Sequence, residues 1–185
     1  MSTLITTTAQ IGTIKDAGGN QTAMTIDSSG RVLMPEVPRF KSRITTATAF
    51  GSQTKMPIRS DYGASNANYV TTTGTNRGGG FDNTNNKYVV PITGLWQLNA
   101  QVGFYNNNTP SRIVELLLFV DGTAQNDLYW VGSHNDGASY PDYDGVNGCD
   151  VAYLTAGQEI ELYASANQSV TAMTDQTGLS GVLIG

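Results

Sequence analysis

The sequence predicts an all-β protein, and three of its features point to that class. Short strand-like runs recur at regular intervals, turn signals separate them, and no segment keeps the apolar period of a helix. Only 14% of the 185 residues are charged, whereas 21 are glycine, so the polar surface comes mainly from Thr, Asn, Ser and Gln. A chain of this length suits one β domain with an appendage.

Charge and cysteine content exclude several classes of function. The formal net charge is −5 and the ten basic residues are scattered, which argues against a nucleic acid or an anionic membrane as partner. Cys149 is the single cysteine, so an intrachain disulfide and a cysteine metal cage are excluded. The sequence shows no signal-peptide pattern and no apolar run long enough to span a bilayer. We therefore expect synthesis in a cytoplasm.

Residues 1–38 are predicted to form an anchoring arm and linker. Asp16 and Asp27 each open an Asp-to-Gly turn between short β-prone runs, and Pro35 and Pro38 stiffen the end of the segment. Strands this short cannot bury a core alone, so the arm needs a partner surface; a disordered leader is the alternative. The apolar residues expected to anchor it are Ile11, Ile14, Ile26, Val32 and Met34.

Residues 39–185 are predicted to form the head, a sandwich or barrel of ten strands. The Asp121-Gly122 pair predicts a hairpin after an apolar strand that we expect to be buried on both faces. The predicted strands are Arg39 to Ile44, Lys55 to Ile58, Tyr69 to Thr72, Lys87 to Val90, Gly94 to Tyr105, Arg112 to Val120, Leu128 to Val131, Val151 to Leu154, Glu159 to Ala164 and Gly178 to Ile184.

The stretch from Phe81 to Phe104 organises this head. A strand around Tyr88 leads into a turn from Pro91 to Gly94, and in the next strand apolar residues alternate with amides. One face of that strand therefore requires a core, and the other is wet. The predicted core residues are Tyr88, Trp96, Leu98, Phe119, Leu162 and Leu183.

Catalytic motifs are missing from the sequence. His134 is the only histidine and Asp136 follows it closely, so a Ser-His-Asp triad is possible by count alone. Nucleophile-elbow, P-loop and zinc-protease motifs are not present. We therefore predict that the protein is not an enzyme, that His134 lies in a solvated loop, and that no cofactor is needed.

The acidic loop from Asn135 to Asp150 is the one candidate metal site. Its carboxylates could supply the hard oxygen ligands that calcium prefers, although the spacing departs from that of an EF-hand. The alternative is a surface loop whose acidic side chains cap their own turns. The candidate ligands are Asp136, Asp142, Asp144 and Asp150.

Five motifs in order resemble the globular heads of the complement and tumour-necrosis-factor superfamily. They are Phe81-Asp82-Asn83 with Tyr88, Pro91-x-Thr93-Gly94-Leu95-Trp96 with Phe104, Leu118 to Gly122, Leu154 to Leu162, and Leu179 to Leu183. The resemblance implies a ten-stranded jelly roll that forms a homotrimer, with aromatic residues along the threefold axis. The axis candidates are Phe104, Tyr105, Tyr129 and Trp130, and ordinary core positions are the alternative for each.

The leader from Thr25 to Pro35, placed directly before a strand that begins Arg39-Phe40, resembles that of small virion proteins of tailed bacteriophages, particularly marine ones. This resemblance implies a structural protein on the virion surface, bound to the major capsid protein or to another virion protein as a capsid decoration or cement protein. The alternative is a tail-fibre tip or receptor-binding knob that recognises a host surface glycan through Asn106 to Asn108 and Tyr140 to Tyr143. A secreted ligand of the tumour-necrosis type would need a signal peptide or a membrane anchor.

Overall fold

The computed structural model describes residues 13–15, 22–26, 28–33, 37–59, 76–77, 80–105, 112–134, 143–174 and 176–185. The chain divides into two compact units, Met1–Val37 and Pro38–Gly185. These described residues form strands and turns and include no helix, which confirms the all-β prediction. Accordingly, the described part of the chain contains no helix able to cross a membrane.

The first unit contains a three-stranded antiparallel sheet of β1 (Thr13–Lys15), β2 (Thr22–Ile26) and β3 (Val32–Leu33). Gly30 has a φ of 76° between β2 and β3, the left-handed conformation expected of a glycine that closes an Asp-to-Gly turn. Of the predicted anchoring residues, Ile14 and Val32 lie in strands and Ile26 is exposed. Ile11 and Met34 lie outside the described residues.

The second unit is built from strands that assemble into two antiparallel sheets. In chain order these strands are β4 (Arg39–Ile44), β5 (Thr48–Phe50), β6 (Thr54–Lys55), β7 (Ile58–Arg59), β8 (Asn76–Arg77), β9 (Phe81–Asp82), β10 (Lys87–Val89), β11 (Gly94–Tyr105), β12 (Arg112–Val120), β13 (Thr123–His134), β14 (Tyr143–Leu154), β15 (Glu159–Ala166), β16 (Val170–Ala172) and β17 (Gly178–Leu183).

One sheet has six strands in the order β13-β12-β15-β10-β9, with β6 beside β15. The other has eight, in the order β5-β16-β11-β17-β4-β7, with β14 beside β11 and β8 beside β4. The bounds predicted for β4, β11 and β12 are the bounds observed, whereas β13 and β14 each begin several residues before the predicted start. The strand predicted at Tyr69 to Thr72 lies outside the described residues.

The core lies between the two sheets, and β11 contributes its centre. Its burial pattern alternates along the strand, so that Trp96 and Leu98 point inward and the intervening amides point outward. Tyr88 stacks on Phe40 with ring centroids 3.8 Å apart and meets Trp96 edge-on at 5.7 Å. Leu162 is also fully buried in this cluster.

Strand alternation corrects two of the predictions for β12. Leu116 and Leu118 face the core, whereas Ile113 and Phe119 lie on the outward face, where only Leu117 is buried; the strand is therefore not buried on both faces along its length. Phe119 stacks on Tyr163 of β15 at 4.0 Å instead of entering the core. Leu183, by contrast, is partly buried and packs against the core cluster.

The predicted hairpin joins β12 to β13. Asp121 and Gly122 have φ values of 51° and 74°, the two positive angles that a type I′ turn requires. Val120 pairs directly with Thr123 across this turn. The hairpin therefore follows from the residues that occupy its two central positions.

Candidate functional site

Four neighbouring strands of the eight-stranded sheet, β14, β11, β17 and β4, turn a broad surface away from the core. Their register places outward side chains in rows, such as Cys149, Asn99, Ser180 and Lys41 in one row. We term this surface the four-strand face. Its outward residues are Asn147, Cys149, Val151 and Tyr153 of β14, Leu95, Gln97, Asn99 and Gln101 of β11, Gly178, Ser180 and Val182 of β17, and Arg39, Lys41 and Arg43 of β4.

One end of the four-strand face is apolar and exposed. Leu95 pairs with Tyr153 across the strands, and Val151 lies one row away, opposite Gln97. The exposed fractions are 39% for Leu95, 46% for Val151, 71% for Tyr153 and 51% for Ile184. Four large apolar side chains grouped in this way are typical of a surface that another molecule covers. We term these four residues the apolar corner.

The end of the chain helps to build the apolar corner. The Ile184 N–H donates to the Leu95 carbonyl (2.8 Å), and the Leu95 N–H donates to the Gly185 carbonyl (2.5 Å). Gly94 makes room for this contact, because a Cβ at that position would lie 2.4 Å from the Gly185 oxygen. Ile184 is thus held beside Leu95 by backbone hydrogen bonds.

The other end of the four-strand face is polar and cationic. A shallow cavity of about 400 Å³ is lined by Lys41, Arg43, Asn99, Gln101 and Ser180, among others. Among the outward residues of these four strands that the structure describes, none is a carboxylate, although the whole chain carries a net charge of −5. Positive charge is therefore concentrated along β4.

Two buried polar side chains fix the backbone beneath this face. The Ser42 hydroxyl donates to the Leu179 carbonyl (2.7 Å), which ties β4 to β17. The Thr177 hydroxyl accepts from the Gly103 N–H (3.2 Å) and donates to the Gly103 carbonyl (3.1 Å), which ties the start of β17 to β11. Because both hydroxyls have partners, their burial carries no unpaired polar group.

The structure does not bring the four predicted axis residues together. Phe104 belongs to the buried core, because it has the same inward parity on β11 as Trp96. Trp130 also points inward and packs on Gly148, where an added Cβ would lie 2.0 Å from the indole ring. For these two residues the axis prediction is wrong, and the alternative of ordinary core packing is correct.

The other two axis candidates are exposed but lie on different sheets. Tyr105 ends β11 in the eight-stranded sheet, whereas Tyr129 lies on β13 in the six-stranded sheet. Tyr129 donates its hydroxyl hydrogen to Glu115 (2.7 Å), on the outward face of its own sheet. The two outer faces of a sandwich point in opposite directions, so these tyrosines cannot line one axis within a single copy.

The predicted calcium site is also wrong as a set of four ligands. Asp144 and Asp150 lie on the continuous strand β14, and six residues of strand span about 20 Å. Ligands of one calcium ion lie within about 2.6 Å of it, so these two carboxylates cannot share an ion. Asp150 instead accepts from the Val151 N–H (2.7 Å). Asp136 and Asp142 lie outside the described residues, within which no cluster of three potential metal ligands occurs.

The remaining predicted site residues are only partly described. His134 is the last residue of β13, so its backbone belongs to a strand and not to the expected loop. Asp136 and the glycan-loop residues Asn106 to Asn108 and Tyr140 to Asp142 lie outside the described residues. The apolar corner was not predicted as a site. Its residues could have been found from strand alternation, since Leu95 points to the face opposite Trp96, and Val151 and Tyr153 share one face of their strand.

Comparison with solved structures defines the class of the fold. The chain is similar to the Eiger TNF of S. frugiperda, with a TM-score of 0.59, 9% identity, and coverage of 81% of this chain and 94% of that chain. It is also similar to murine APRIL at pH 5.0, with a TM-score of 0.55, 17% identity, and coverage of 80% and 99%. No protein-family model and no curated protein matches the sequence.

The class is therefore a two-sheet, all-β jelly roll. More particularly, the fold is similar to the jelly roll of tumour-necrosis-factor proteins, which agrees with the resemblance seen in the sequence. At identities of 9% and 17% the likeness is one of fold.

Proposed function

We propose that this protein is a non-enzymatic structural protein of a bacteriophage particle, a homotrimeric jelly-roll head held to the particle by its N-terminal unit. Its place is the capsid surface, where it acts as a decoration protein bound to the major capsid protein. One observation carries the proposal: the chain contains a jelly-roll head with an exposed apolar corner and, before it in sequence, a separate small β-unit.

The apolar corner supports the trimer. Leaving Leu95, Val151, Tyr153 and Ile184 in water forgoes the free energy of burying them, about 25 cal/mol per Å² of apolar surface. A threefold arrangement covers the corner in every copy, because each corner meets a different surface of the next copy around the axis. The resemblance to the complement and tumour-necrosis-factor superfamily implies the same stoichiometry.

The N-terminal unit supports attachment. Its sheet has three strands of two to five residues, which are too short to bury a core of their own. Such strands gain stability by pairing with, or packing on, a partner surface. The three N-terminal units of one trimer would bind with avidity, because binding of the first raises the effective concentration of the other two. Such avidity suits a fixed position on a repeating shell. The leader resembles that of tailed-phage virion proteins, and this resemblance supplies the identity of the particle.

The trimer is tested by the mass of the full-length protein in solution. We expect three copies by native mass spectrometry and sedimentation, and loss of the trimer when Tyr153→Glu places a charge in the apolar corner. The matched control is Ile113→Glu, since Ile113 is 46% exposed on the outward face of the other sheet. A monomeric wild-type protein would overturn the trimer, and a Tyr153→Glu protein that stays trimeric would remove the apolar corner from its interface.

The place on the particle is tested by copy number. Quantitative mass spectrometry of purified particles compares this protein with the major capsid protein. We expect hundreds of copies, as decoration of a shell requires. A few to a few tens would instead assign the protein to a tail fibre and turn attention to host glycans, and its absence from the particles would overturn the virion role.

A further inference from the structure

The outward face of the six-stranded sheet carries a second surface, on the opposite side of the sandwich from the four-strand face. Register places Leu117 of β12 between Tyr129 of β13 and Tyr163 of β15. One row along β12, Glu115 lies between Val131 and Ser165. We term Glu115, Leu117, Tyr129 and Tyr163 the acidic aromatic platform.

The Glu115 carboxylate is fixed in place on this platform. The Tyr129 hydroxyl donates to Oε1 (2.7 Å), and the Ser165 hydroxyl donates to Oε2. The hydrogen bond from Ser165, and to a smaller extent that from Tyr129, lowers the pKa of Glu115 below its usual value. The side chain is therefore ionised at neutral pH. Each oxygen keeps acceptor capacity for a further donor.

The neighbouring carboxylates of the sheet, unlike Glu115, each form an ion pair with a lysine. Lys55 pairs with Glu161, and Lys87 pairs with Glu159 at 2.5 Å. Throughout the described ranges, no lysine or arginine contacts Glu115. Within the part of the chain that the structure describes, the platform therefore presents one negative charge without a cationic partner.

The Tyr129 ring lies beside that charge, whereas Tyr163 directs its ring toward Phe119 and its hydroxyl toward Glu161. Tyr129 is 39% exposed, and Tyr163 forms a stacked pair with Phe119. Leu117 lies between the two tyrosines and is buried, so Tyr129 supplies the accessible apolar surface next to Glu115.

We propose that the acidic aromatic platform docks a basic side chain, an arginine in the preferred case, of a partner protein. The guanidinium donates to Glu115, the aliphatic stem lies along the exposed Tyr129 side chain, and the Tyr129 ring contributes cation–π attraction. Arginine suits the platform better than lysine, since its planar group both stacks on rings and donates in a fork. Charge complementarity selects this occupant, because Glu115 repels phosphates and acidic segments.

The proposal is tested with the full-length protein and an acetylated, amidated oligo-arginine peptide as the probe. The control probe is the oligo-citrulline peptide of the same length, which has nearly the same shape but is uncharged. Calorimetry should show binding of the arginine peptide that is at least about tenfold tighter than that of the citrulline peptide. Equal affinities, or no binding of the arginine peptide, would overturn the proposal.

Two matched variants separate the platform from general attraction to an acidic protein. Glu115→Gln keeps the shape of the side chain and should weaken arginine-peptide binding by about tenfold. Asp127→Asn removes the same charge from an exposed position of β13 and should change affinity by less than about twofold. Equal losses in the two variants would assign the binding to net charge and reject the platform. Unchanged melting temperatures show that both variants are folded.

Discussion

At the scale of single residues, Tyr88 is the most unusual member of the core. Its ring is fully buried between Phe40 and Trp96, and its hydroxyl makes no hydrogen bond with any described residue. A buried polar group without a partner costs about 1–3 kcal/mol. We expect Tyr88→Phe to raise the free energy of unfolding by roughly 1–2 kcal/mol in urea titrations. A destabilised variant would show that the hydroxyl is hydrogen-bonded in solution.

Burial also raises the pKa of the Tyr88 phenol above its usual value of about 10. The folded state then keeps the proton at pH values where the unfolded state releases it. The wild type therefore keeps its full stability below pH 10 and loses stability as the pH rises further, because the unfolded state then releases this proton. Above pH 10 we expect the stability gap between Tyr88→Phe and the wild type to widen by about 1.4 kcal/mol per pH unit. A gap that stays constant with pH would contradict the raised pKa.

Gly148 is required by its contact with the Trp130 ring. A Cβ at position 148 would lie 2.0 Å from ring atoms, so Gly148→Ala forces the indole out of the core edge. We expect it to lower the free energy of unfolding by about 1–3 kcal/mol, the usual cost of overpacking. Gly51→Ala is the control, because its nearest contact would be an ordinary 3.4 Å. Equal losses in the two variants would mean that Trp130 can move aside.

At the scale of elements, β11 shows how one strand serves both the core and the surface. Trp96 is fully buried, and its Nε1–H donates to the Ile92 carbonyl (3.2 Å), whereas the neighbouring Gln97 faces outward. We expect Trp96→Ala to lower the free energy of unfolding by about 3–5 kcal/mol, measured by chemical denaturation. Gln97→Ala should change it by less than about 0.5 kcal/mol. A loss below about 1 kcal/mol for Trp96→Ala would be inconsistent with its place in the core.

Strand β14 was predicted too short because its length is set by pairing with β11 and not by its own residues. Gly145, Asn147 and Gly148 have low β propensity, and the sequence alone assigns them to a loop. In the structure β14 pairs with β11 from Gly94↔Leu154 to Tyr105↔Tyr143, and this continuous ladder extends the strand through them. The same effect removes the predicted calcium loop, since two of its four carboxylates become part of the ladder.

At the scale of the whole molecule, the division into two units predicts separable tasks. Deletion of residues 1–35 should leave a folded trimer, because the sheets and core of the head lie within Pro38–Gly185. Under the proposed function, the truncated head should no longer join the phage particle, which is measured by its copy number in purified particles. Normal incorporation of the truncated head would reject the N-terminal unit as the anchor, and a truncated head that is unfolded would reject the division of tasks.

The two outward faces of the head give the molecule its polarity. The four-strand face has the apolar corner and the basic side chains of β4. The outward face of the six-stranded sheet has the carboxylates of Glu115, Glu159 and Glu161. A trimer formed through the first face would leave the second accessible in each copy. Three acidic aromatic platforms on one trimer would then act together on a partner that repeats its basic residues.

The sequence by itself determined the all-β class, the Asp121-Gly122 hairpin and the bounds of β4, β11 and β12. It also determined that Trp96 and Leu98 of β11 point into the core. These features depend on local turn chemistry and on a period of two, both of which are visible in a single chain. The resemblance of five motifs to the complement and tumour-necrosis-factor superfamily also implied the jelly roll. Parity on β11 would have placed Phe104 in the core as well.

Only the tertiary structure decided which exposed residues share a surface. Leu95, Val151, Tyr153 and Ile184 come from three separated segments, and only the pairing of β14 and of the chain end with β11 brings them together. Glu115 likewise acquires Tyr129 and Ser165 from two neighbouring strands. Strand order and register are long-range choices set by the packing of the whole core, and no local pattern encodes them.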